Sequence, residues 1–367
     1  MIETTLRKDM KCALIAMSGG VDSSVAALLM KEAGYDCTGA TMRLYRPAAF
    51  QNEKPKGCCS DRDEDDAAFV CHQLGIPHES VCFSRLFEQQ VIRKFIREYE
   101  AGRTPNPCID CNRFLKFDAL LDHALREGFD CIVTGHYARV RFSEEAGRWQ
   151  LLKAADESKD QSYVLYMLTQ EQLAHLRLPL GGLTKTETRQ IAETYGLVNA
   201  DKHDSQDICF IPDGDYPAFI ERWTGRKQEA GDFLDESGQL VGRHRGALRY
   251  TVGQRRGLEL PMGERVYVLK KDMARNTVTV GPEAALYRRE LIAADLNWLS
   301  IPEPGGPIRA AVRTRYHQAE RPATVYPLPQ NRARIVFDEP QRAITPGQAA
   351  VLYEGVLVLG GGTIEQA

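Results

Sequence analysis

Up to about residue 200, short apolar runs alternate with longer amphipathic segments. Residues 12–17 form an uninterrupted apolar run, which is typical of a buried strand. Residues 25–33 predict a helix, with Gly34 at the position after its C-terminus. The same reasoning predicts strands at 35–44, 80–83 and 131–134, and helices at 61–74, 84–101, 112–127 and 185–195. This alternation predicts an α/β fold with a doubly wound parallel sheet, which binds ligands at the carboxyl ends of its strands.

The pattern changes after about residue 210. Residues 291–359 consist of short segments of alternating polarity separated by Gly and Pro, which predict a small antiparallel barrel or sandwich. Residues 241–275 carry nine Arg and Lys against three Asp and Glu and are therefore locally basic. We expect a parallel-sheet domain at 1–210, a small central domain at 211–284 and an antiparallel β-barrel at 285–367.

Composition narrows the class of protein only slightly. The 367 residues carry a net charge of −3, which is no overall signature of a nucleic-acid-binding protein. No apolar run approaches the ~18 residues of a membrane span, and the first nine residues lack the apolar core of a signal peptide. We therefore expect a cytoplasmic protein with no membrane partner. Its ten cysteines should stay mostly reduced and serve packing, metal binding or catalysis.

A Gly- and Ser-rich segment, residues 18–24, lies between the first predicted strand and the first predicted helix. Such a turn directs backbone N–H groups and a helix N-terminus to one point, which binds phosphate. Ser18, Ser23 and Ser24 add hydroxyl donors, and the carboxylate of Asp22 can hold Mg²⁺ against the phosphates. The segment lacks the Gly-Lys-Ser/Thr ending of a Walker A loop. It resembles the loop of ATP-pyrophosphatases, which adenylate an oxygen and release pyrophosphate; the alternative is an ordinary Gly/Ser turn.

Three cysteines differ from the others in their surroundings. Cys108 and Cys111 stand at the start of a predicted helix, where the pKa of a thiol is lowered. Cys209 lies in a polar turn before an apolar run, and only the fold can bring it near Cys111. A zinc pair is the alternative for Cys108 and Cys111. The contexts of Cys58 and Cys59 leave their role open, and five cysteines lie in apolar surroundings typical of packed thiols: Cys12, Cys37, Cys71, Cys82 and Cys131.

Seven motifs follow one another along the chain, at residues 18–23, 102–107 with Cys111 and Asn112, 134–137, 156–163, 208–211, 250–257 and 313–317. In this order they resemble the tRNA-specific 2-thiouridylases over essentially the whole length. The resemblance implies an adenine nucleotide α-hydrolase-like first domain. It also implies a tRNA-uridine 2-sulfurtransferase, which uses ATP to place sulfur on C2 of the wobble uridine in the anticodon stem-loop.

The resemblance also implies roles for single residues. It assigns ATP binding to Ala16, Met17, Ser18, Gly19, Gly20, Val21, Asp22, Ser23, Met42 and Gly135. It implies that Cys111 is the nucleophile, that Cys209 carries a persulfide, and that the two form a disulfide after sulfur transfer; Asp22 acts with Mg²⁺. It places the target base beside Asn106, Pro107 and Cys108. It places the tRNA beside His136, Lys159, Asp160, Gln161, Arg315, Tyr316 and Gln348.

The residue at position 108 departs from the family pattern, because many members have Asp there. A thiol at this position weakens any acid–base role. Together with Cys111 and Cys209 it also makes a three-thiolate set that suits a [4Fe–4S] cluster with one open iron. We favour transfer from a persulfide, with sulfur supplied by a donor protein such as a cysteine desulfurase or a sulfur-relay carrier. ATP adenylates the C2 oxygen, and AMP then leaves.

Two other functions remain open at this stage. One is a different ATP-pyrophosphatase, such as an iron–sulfur-dependent tRNA thiolase, and the other is a non-enzymatic RNA-binding protein. Without the family resemblance, Lys159 and the basic residues 313–316 are typical of solvated surface, and His136 is typical of a structural histidine. Measurable release of pyrophosphate separates the enzymes from the binding protein.

Overall fold

The computed structural model describes residues 11–44, 61–202, 208–261 and 263–366. Its α-helices are α1 Val21–Glu32, α2 Asp61–Leu74, α3 Ser84–Phe87, α4 Arg93–Glu100, α5 Pro107–Asp110, α6 Leu120–Arg126, α7 Gln170–Ala174, α8 Lys185–Thr194 and α9 Tyr216–Thr224. Two π-helical segments, Glu88–Ile92 and Cys111–Ala119, join α3 to α4 and α5 to α6. Cys58 and Cys59 lie outside the described residues.

The strands fall into three sheets. The first part of the chain contributes β1 Cys12–Ala16, β2 Asp36–Arg43, β3 His78–Cys82, β4 Cys131–Val133, β5 Ala138–Ser143, β6 Arg148–Lys153 and β7 Leu176–Arg177. The central part contributes β8 Gly231–Leu234, β9 Leu240–His244, β10 Tyr267–Asp272 and β11 Thr277–Gly281. The last part contributes β12 Tyr287–Trp298, β13 Ile308–Arg313, β14 Arg321–Leu328, β15 Arg332–Arg342, β16 Ala349–Glu354 and β17 Leu357–Gln366.

The first sheet has the strand order β3–β2–β1–β4–β7, and all four of its strand pairs are parallel. The chain runs outward from β1 to β2 and β3 and then returns to β4 on the other side of β1. This reversal opens a crevice at the carboxyl ends of β1 and β4, where ligands bind in doubly wound folds. The predicted parallel sheet is confirmed.

Strand β1 is buried on both faces of the sheet. Side chains of successive strand residues point to opposite faces, and those of β1 pack in two different apolar clusters. Ala13 and Ile15 pack in one apolar cluster with Val25 of α1. Leu14 packs in a second cluster with Phe117, from the π-helical segment before α6. Helices therefore cover both faces of the sheet and leave the carboxyl ends of its strands as the place for a site.

The six strands β12 to β17 form a closed antiparallel barrel, because β12 pairs with both β15 and β17. The predicted barrel is confirmed and the sandwich is excluded. The β5–β6 hairpin from the first part of the chain extends this sheet, with Leu152 opposite Leu357. The expected limits of the domains stay predictions, since this hairpin precedes residue 210 and yet joins the barrel sheet.

The central part forms a sheet with the order β10–β11–β8–β9 around Phe233, Val268 and Val278. Helix α9 connects this part to the first one, because Phe219 packs edge-on against Phe95 of α4 with 6.4 Å between ring centroids. In the part of the chain that the structure describes, no helix has the length and apolar character needed to cross a membrane.

Candidate active site

The loop after β1 is held in shape by its own serines. Ser23 Oγ donates to the Gly20 carbonyl at 3.0 Å and accepts from the Ser18 amide at 3.2 Å. Ser24 Oγ donates to the same Gly20 carbonyl at 3.1 Å. Gly19 has φ +70°, in the left-handed region that favours glycine. The Ser23 and Ser24 hydroxyls bind the loop itself, and the exposed Ser18 hydroxyl lies 3.2 Å from Ser23 Oγ. The groups that remain for phosphate are therefore mainly backbone N–H groups.

Gly135, the second residue after β4, packs against the first turn of α1. A Cβ at this position would lie 2.8 Å from the carbonyl carbon of Asp22 and 2.8 Å from the amide nitrogen of Ser23. Only glycine fits so close an approach, which places Gly135 in the wall of the loop. Four other predicted ATP positions have buried or half-buried side chains beside the loop: Ala16, Met17, Val21 and Met42.

Asp22 is bound from across the crevice by Lys185, the first residue of α8. The Lys185 Nζ lies 2.7 and 2.9 Å from the two carboxylate oxygens of Asp22, and its side chain is only 11% exposed. The Tyr137 hydroxyl donates to Asp22 Oδ1 at 2.9 Å and lies 3.0 Å from Thr188 Oγ1. Sequence reasoning missed Lys185, because a lysine in the first turn of a helix is typical of solvated surface.

Cys111 and Cys209 pack against the same apolar cluster, whose buried members include Phe87 and Phe95. Both cysteines are half-buried, whereas Cys108 is exposed. The predicted helix begins five residues earlier than expected, at Pro107, and Asn106 caps it by accepting from the Cys108 amide at 3.1 Å. The fold therefore brings the two distant cysteines to one apolar cluster and leaves Cys108 exposed in the first turn of the helix.

The residue between Cys108 and Cys111 that carries a charge is buried. Asp110 is 5% exposed and pairs with Lys94 of α4 at 2.6 Å. Burial raises the pKa of the Asp110 carboxyl, and the charge and hydrogen bond of Lys94 oppose the rise. Asp110 thus ties the cysteine-bearing helix to α4.

A barrel loop holds the segment that leads to the cysteines. Gln348 Nε2 donates to the carbonyl of Thr104 at 2.8 Å, and the Thr104 amide donates to the carbonyl of Pro346 at 2.9 Å. A Cβ on Gly347, where φ is +92°, would lie 2.9 Å from the Thr104 nitrogen. The side chain of Gln348, predicted to contact tRNA, is therefore used to fix residues 104–105 before Cys108.

Arg315 and Tyr316 lie between the barrel and its neighbours. The guanidinium of Arg315 donates to the carbonyls of Val252 at 3.1 Å and Ala343 at 3.0 Å, so it ties the barrel to the central part. Burial raises the pKa of Tyr316, and the carboxylate of Asp160 raises it further. Its ring packs edge-on against Tyr163, with 5.9 Å between ring centroids, and borders the apolar cluster that includes Ile109, the residue after Cys108.

The remaining predicted tRNA contacts differ in accessibility. His136 is buried, with Nδ1 2.8 Å from Thr134 Oγ1, and burial lowers its pKa well below the usual range. Asp160 is also buried and accepts from the amides of Ala154 and Ser162. The side chains of Lys159 and Gln161 are half-buried. The His136 and Asp160 side chains therefore form hydrogen bonds with groups inside the protein.

Within the described residues, no group of three or more His, Cys, Asp and Glu side chains could hold a metal ion. Among the described residues, Cys108, Cys111 and Cys209 therefore form no ready ligand set for a cluster, and no third His, Cys, Asp or Glu joins Cys108 and Cys111 as a zinc ligand. Asp22 offers one carboxylate. That fits Mg²⁺ as it binds with nucleotides, because the ion then takes most of its ligands from phosphates and water.

Three family models together match most of the chain. They are described as a tRNA methyl transferase HUP domain over residues 11–213, a tRNA methyl transferase PRC-barrel domain over 218–282 and an aminomethyltransferase beta-barrel domain over 288–364. The loop lies where the strand order of the parallel sheet reverses. Together with these matches, it defines a protein with a nucleotide-binding α/β domain followed by two β-rich domains.

Two curated relatives identify the family more closely. The chain is 51% identical to the tRNA-specific 2-thiouridylase of Moorella thermoacetica, over 96% of this chain and 99% of the relative. It is 46% identical to the enzyme of the same name from Acetivibrio thermocellus, over 97% of this chain and 99% of the relative. The chain belongs to the tRNA-specific 2-thiouridylase family. A 4-thiouridine synthetase–RNA complex with bound ATP aligns at 17% identity and a TM-score of 0.36, covering 58% of this chain and 50% of that one, from which nothing further follows.

Proposed function

We propose that the protein is a tRNA-uridine 2-sulfurtransferase, which thiolates the wobble uridine of tRNA at C2 and consumes ATP. The observation that carries the proposal is the packing of Cys111 and Cys209 on one apolar cluster. Sulfur transfer from a persulfide needs a carrier thiol and a second thiol within reach of it. A methyl transferase, which the names of two matching family models mention, needs neither.

The first step is adenylation of the uracil C2 oxygen, which is otherwise a poor leaving group. That oxygen attacks the α-phosphorus of ATP, forms an O–P bond and expels pyrophosphate. The Nζ of Lys185 stabilises the negative charge that develops on the departing pyrophosphate. The N–H groups of the loop at Gly19 and Gly20 bind its phosphates equally in ATP and in the transition state. Asp22 would hold Mg²⁺, which neutralises charge on the phosphates.

The second step transfers one sulfur. The terminal sulfur of a Cys209 persulfide attacks C2 and displaces AMP. The Cys111 thiolate then attacks Cys209 Sγ, so that the sulfur–sulfur bond breaks and the electron pair stays with the sulfur on the base. A Cys111–Cys209 disulfide results, and an external thiol reductant reopens it. No step passes through an iron–sulfur cluster.

The tRNA must present its base near the cysteine helix. We place the uracil beside Asn106, Pro107 and Cys108, with Tyr316 on the barrel side, and a nucleotide that reacts there has to leave its stack. Lys159 and Gln161 are candidates for direct contact with RNA, whereas Arg315 and Gln348 shape the surface from within. A cytoplasmic sulfur donor protein, such as a cysteine desulfurase or a relay carrier, loads Cys209.

The test is reconstitution with purified protein, ATP, Mg²⁺, a cysteine desulfurase with cysteine, and a tRNA transcript that carries uridine at the wobble position. We expect AMP, pyrophosphate and 2-thiouridine in equal amounts. The matched control is the same transcript with cytidine at the wobble position, which should yield none. Protein that binds the uridine transcript but forms neither AMP nor 2-thiouridine would overturn the proposal.

A further inference from the structure

The peptide group between Gly19 and Gly20 is held from outside the loop by two side chains of the segment after α8. Asn199 Nδ2 and Lys202 Nζ each donate to the Gly19 carbonyl at 3.0 Å. In a trans peptide the N–H of the next residue, here Gly20, points away from that carbonyl. Two donors on one carbonyl therefore fix the direction of the Gly20 N–H, and they polarise it as a donor.

Lys202 is fully engaged in this arrangement. Besides the Gly19 carbonyl, its Nζ contacts Asp63 Oδ1 at 2.6 Å and Asp66 Oδ2 at 2.7 Å, so each of the three ammonium hydrogens has an acceptor. Burial lowers the pKa of Lys202, but its bonds to the two carboxylates outweigh that and hold the pKa above its usual value. A Cβ on Gly19 would lie 2.3 Å from the Asp63 carbonyl oxygen, so α2 abuts the loop directly.

Asn199 supports the same peptide at a cost to itself. It is 4% exposed, and its Nδ2 also donates to Ser24 Oγ at 2.9 Å. Its Oδ1 is buried and has no hydrogen-bond partner within the described residues. An unmet buried acceptor is destabilising. The Asn199 amide is therefore oriented so that its nitrogen donates to the Gly19 carbonyl and to Ser24 Oγ. Its oxygen is left without a hydrogen-bond partner among the described residues.

We propose that Lys202 and Asn199 are positioning residues of the ATP loop, which hold the Gly19–Gly20 peptide so that the Gly20 N–H donates to a phosphate. This deepens the proposed function and rests on it only for the identity of the nucleotide. Direction, and not attraction, is the contribution of Lys202. Its single positive charge is outnumbered by the carboxylates of Asp63 and Asp66.

The test compares Lys202→Met and Asn199→Asp with the wild type in titrations with α,β-methylene-ATP. Asn199→Asp keeps the shape of the side chain and removes both donors, and Asn199→Leu removes them without adding a negative charge. We expect each variant to bind the analogue about tenfold more weakly, the effect of losing one charge-assisted hydrogen bond. The KM for ATP should rise by a similar factor while kcat at saturating ATP changes little. Lys202→Arg keeps a charged donor and should recover most of the affinity.

Two controls separate orientation from other effects. Lys31→Met removes another lysine between α1 and α2, bonded to the Leu74 carbonyl at the far end of these helices, and should bind like the wild type. Adding Asp63→Asn and Asp66→Asn to Lys202→Met removes the uncompensated carboxylates. Full recovery of affinity in that triple variant would mean that repulsion explains the loss, and the proposal would be overturned.

The remaining outcomes also decide. Wild-type affinity in a folded Lys202→Met or Asn199→Asp variant, judged by its thermal midpoint, overturns the positioning role. If Lys202→Met fails to fold, Asn199→Asp and Lys202→Arg give the answer. Failure of the proposed function has a different signature, namely wild-type protein that binds the analogue but makes no 2-thiouridine.

Discussion

The Nζ of Lys185 and the carboxylate of Asp22 form a two-pronged ion pair, with distances of 2.7 and 2.9 Å, at the mouth of the nucleotide loop. Each partner carries the charge that attracts one component of Mg²⁺–ATP: the carboxylate attracts the metal ion, and the ammonium attracts the phosphates. We therefore expect Mg²⁺–ATP, on binding, to replace this internal ion pair by two pairs with the ligand, so that both side chains stay neutralised.

Removing either partner should stop adenylation. We expect Asp22→Ala to abolish pyrophosphate release and Lys185→Met to slow it by about 10²-fold or more, as for loss of one donor to a developing negative charge. Both variants should retain much of the tRNA affinity, because Asp22 and Lys185 bind each other beside the nucleotide loop and neither is among the predicted tRNA contacts. The measurement is pyrophosphate release with saturating tRNA, with Lys31→Met as the control. Near-normal release by Asp22→Ala would contradict the assignment of the loop.

Cys111 and Cys209 should each be essential. Because the persulfide route needs a carrier and a resolving thiol, Cys111→Ser and Cys209→Ser should both lose 2-thiouridine formation while still releasing pyrophosphate. Peptide mapping after mild oxidation should show the two residues linked. Cys131→Ser, at a buried thiol of the parallel sheet, is the matched control. Full thiolation by either Cys111→Ser or Cys209→Ser would refute the route.

Replacing Cys108 by Asp should preserve activity. The thiol is exposed at the start of α5, and the described residues hold no ready cluster site. Aspartate is a poor ligand for an iron–sulfur cluster but matches the residue of many relatives. We expect thiolation to persist in Cys108→Asp and anaerobically purified wild type to contain no iron. A brown wild type with about four irons, together with an inactive Cys108→Asp, would establish the cluster route instead.

Gly135→Ala should weaken both the fold and nucleotide binding. The added methyl would lie 2.8 Å from backbone atoms of Asp22 and Ser23, so the end of β4 must move away from α1. Overpacking of this kind costs about 1–3 kcal/mol of stability, which thermal unfolding will register. Gly182→Ala is the control, because nothing lies within 4 Å of a Cβ there. Equal thermal midpoints and ATP affinities for the two variants would contradict the close approach.

Local patterns were sufficient to predict most of the fold. Apolar runs such as residues 12–17 and the alternation after residue 291 depend on neighbouring residues only, so the parallel sheet and the barrel could be derived from them. The pairing of Leu152 with Leu357 could not, because no local pattern specifies a partner so far along the chain. Within the site, the loop was visible as a motif, but Lys185 and Lys202 were not. The role of each lysine depends on acceptors that the fold brings from distant parts of the chain, and no local pattern shows them.

The shared sheet has a consequence for folding during synthesis. Domains generally fold from the N-terminus as the ribosome releases them. The β5–β6 hairpin, however, is made long before β17, the strand that covers its edge. Gln170 already binds the backbone of Trp149, but the N–H groups of Leu151 and Lys153 wait for Ser300 and Val356. Until those residues are made, this part of the β6 edge can pair with other strands, a known route to aggregation. A nascent chain whose synthesis stops within the barrel residues would carry a folded nucleotide loop and an exposed strand edge. Quality-control factors should therefore bind this protein late in translation.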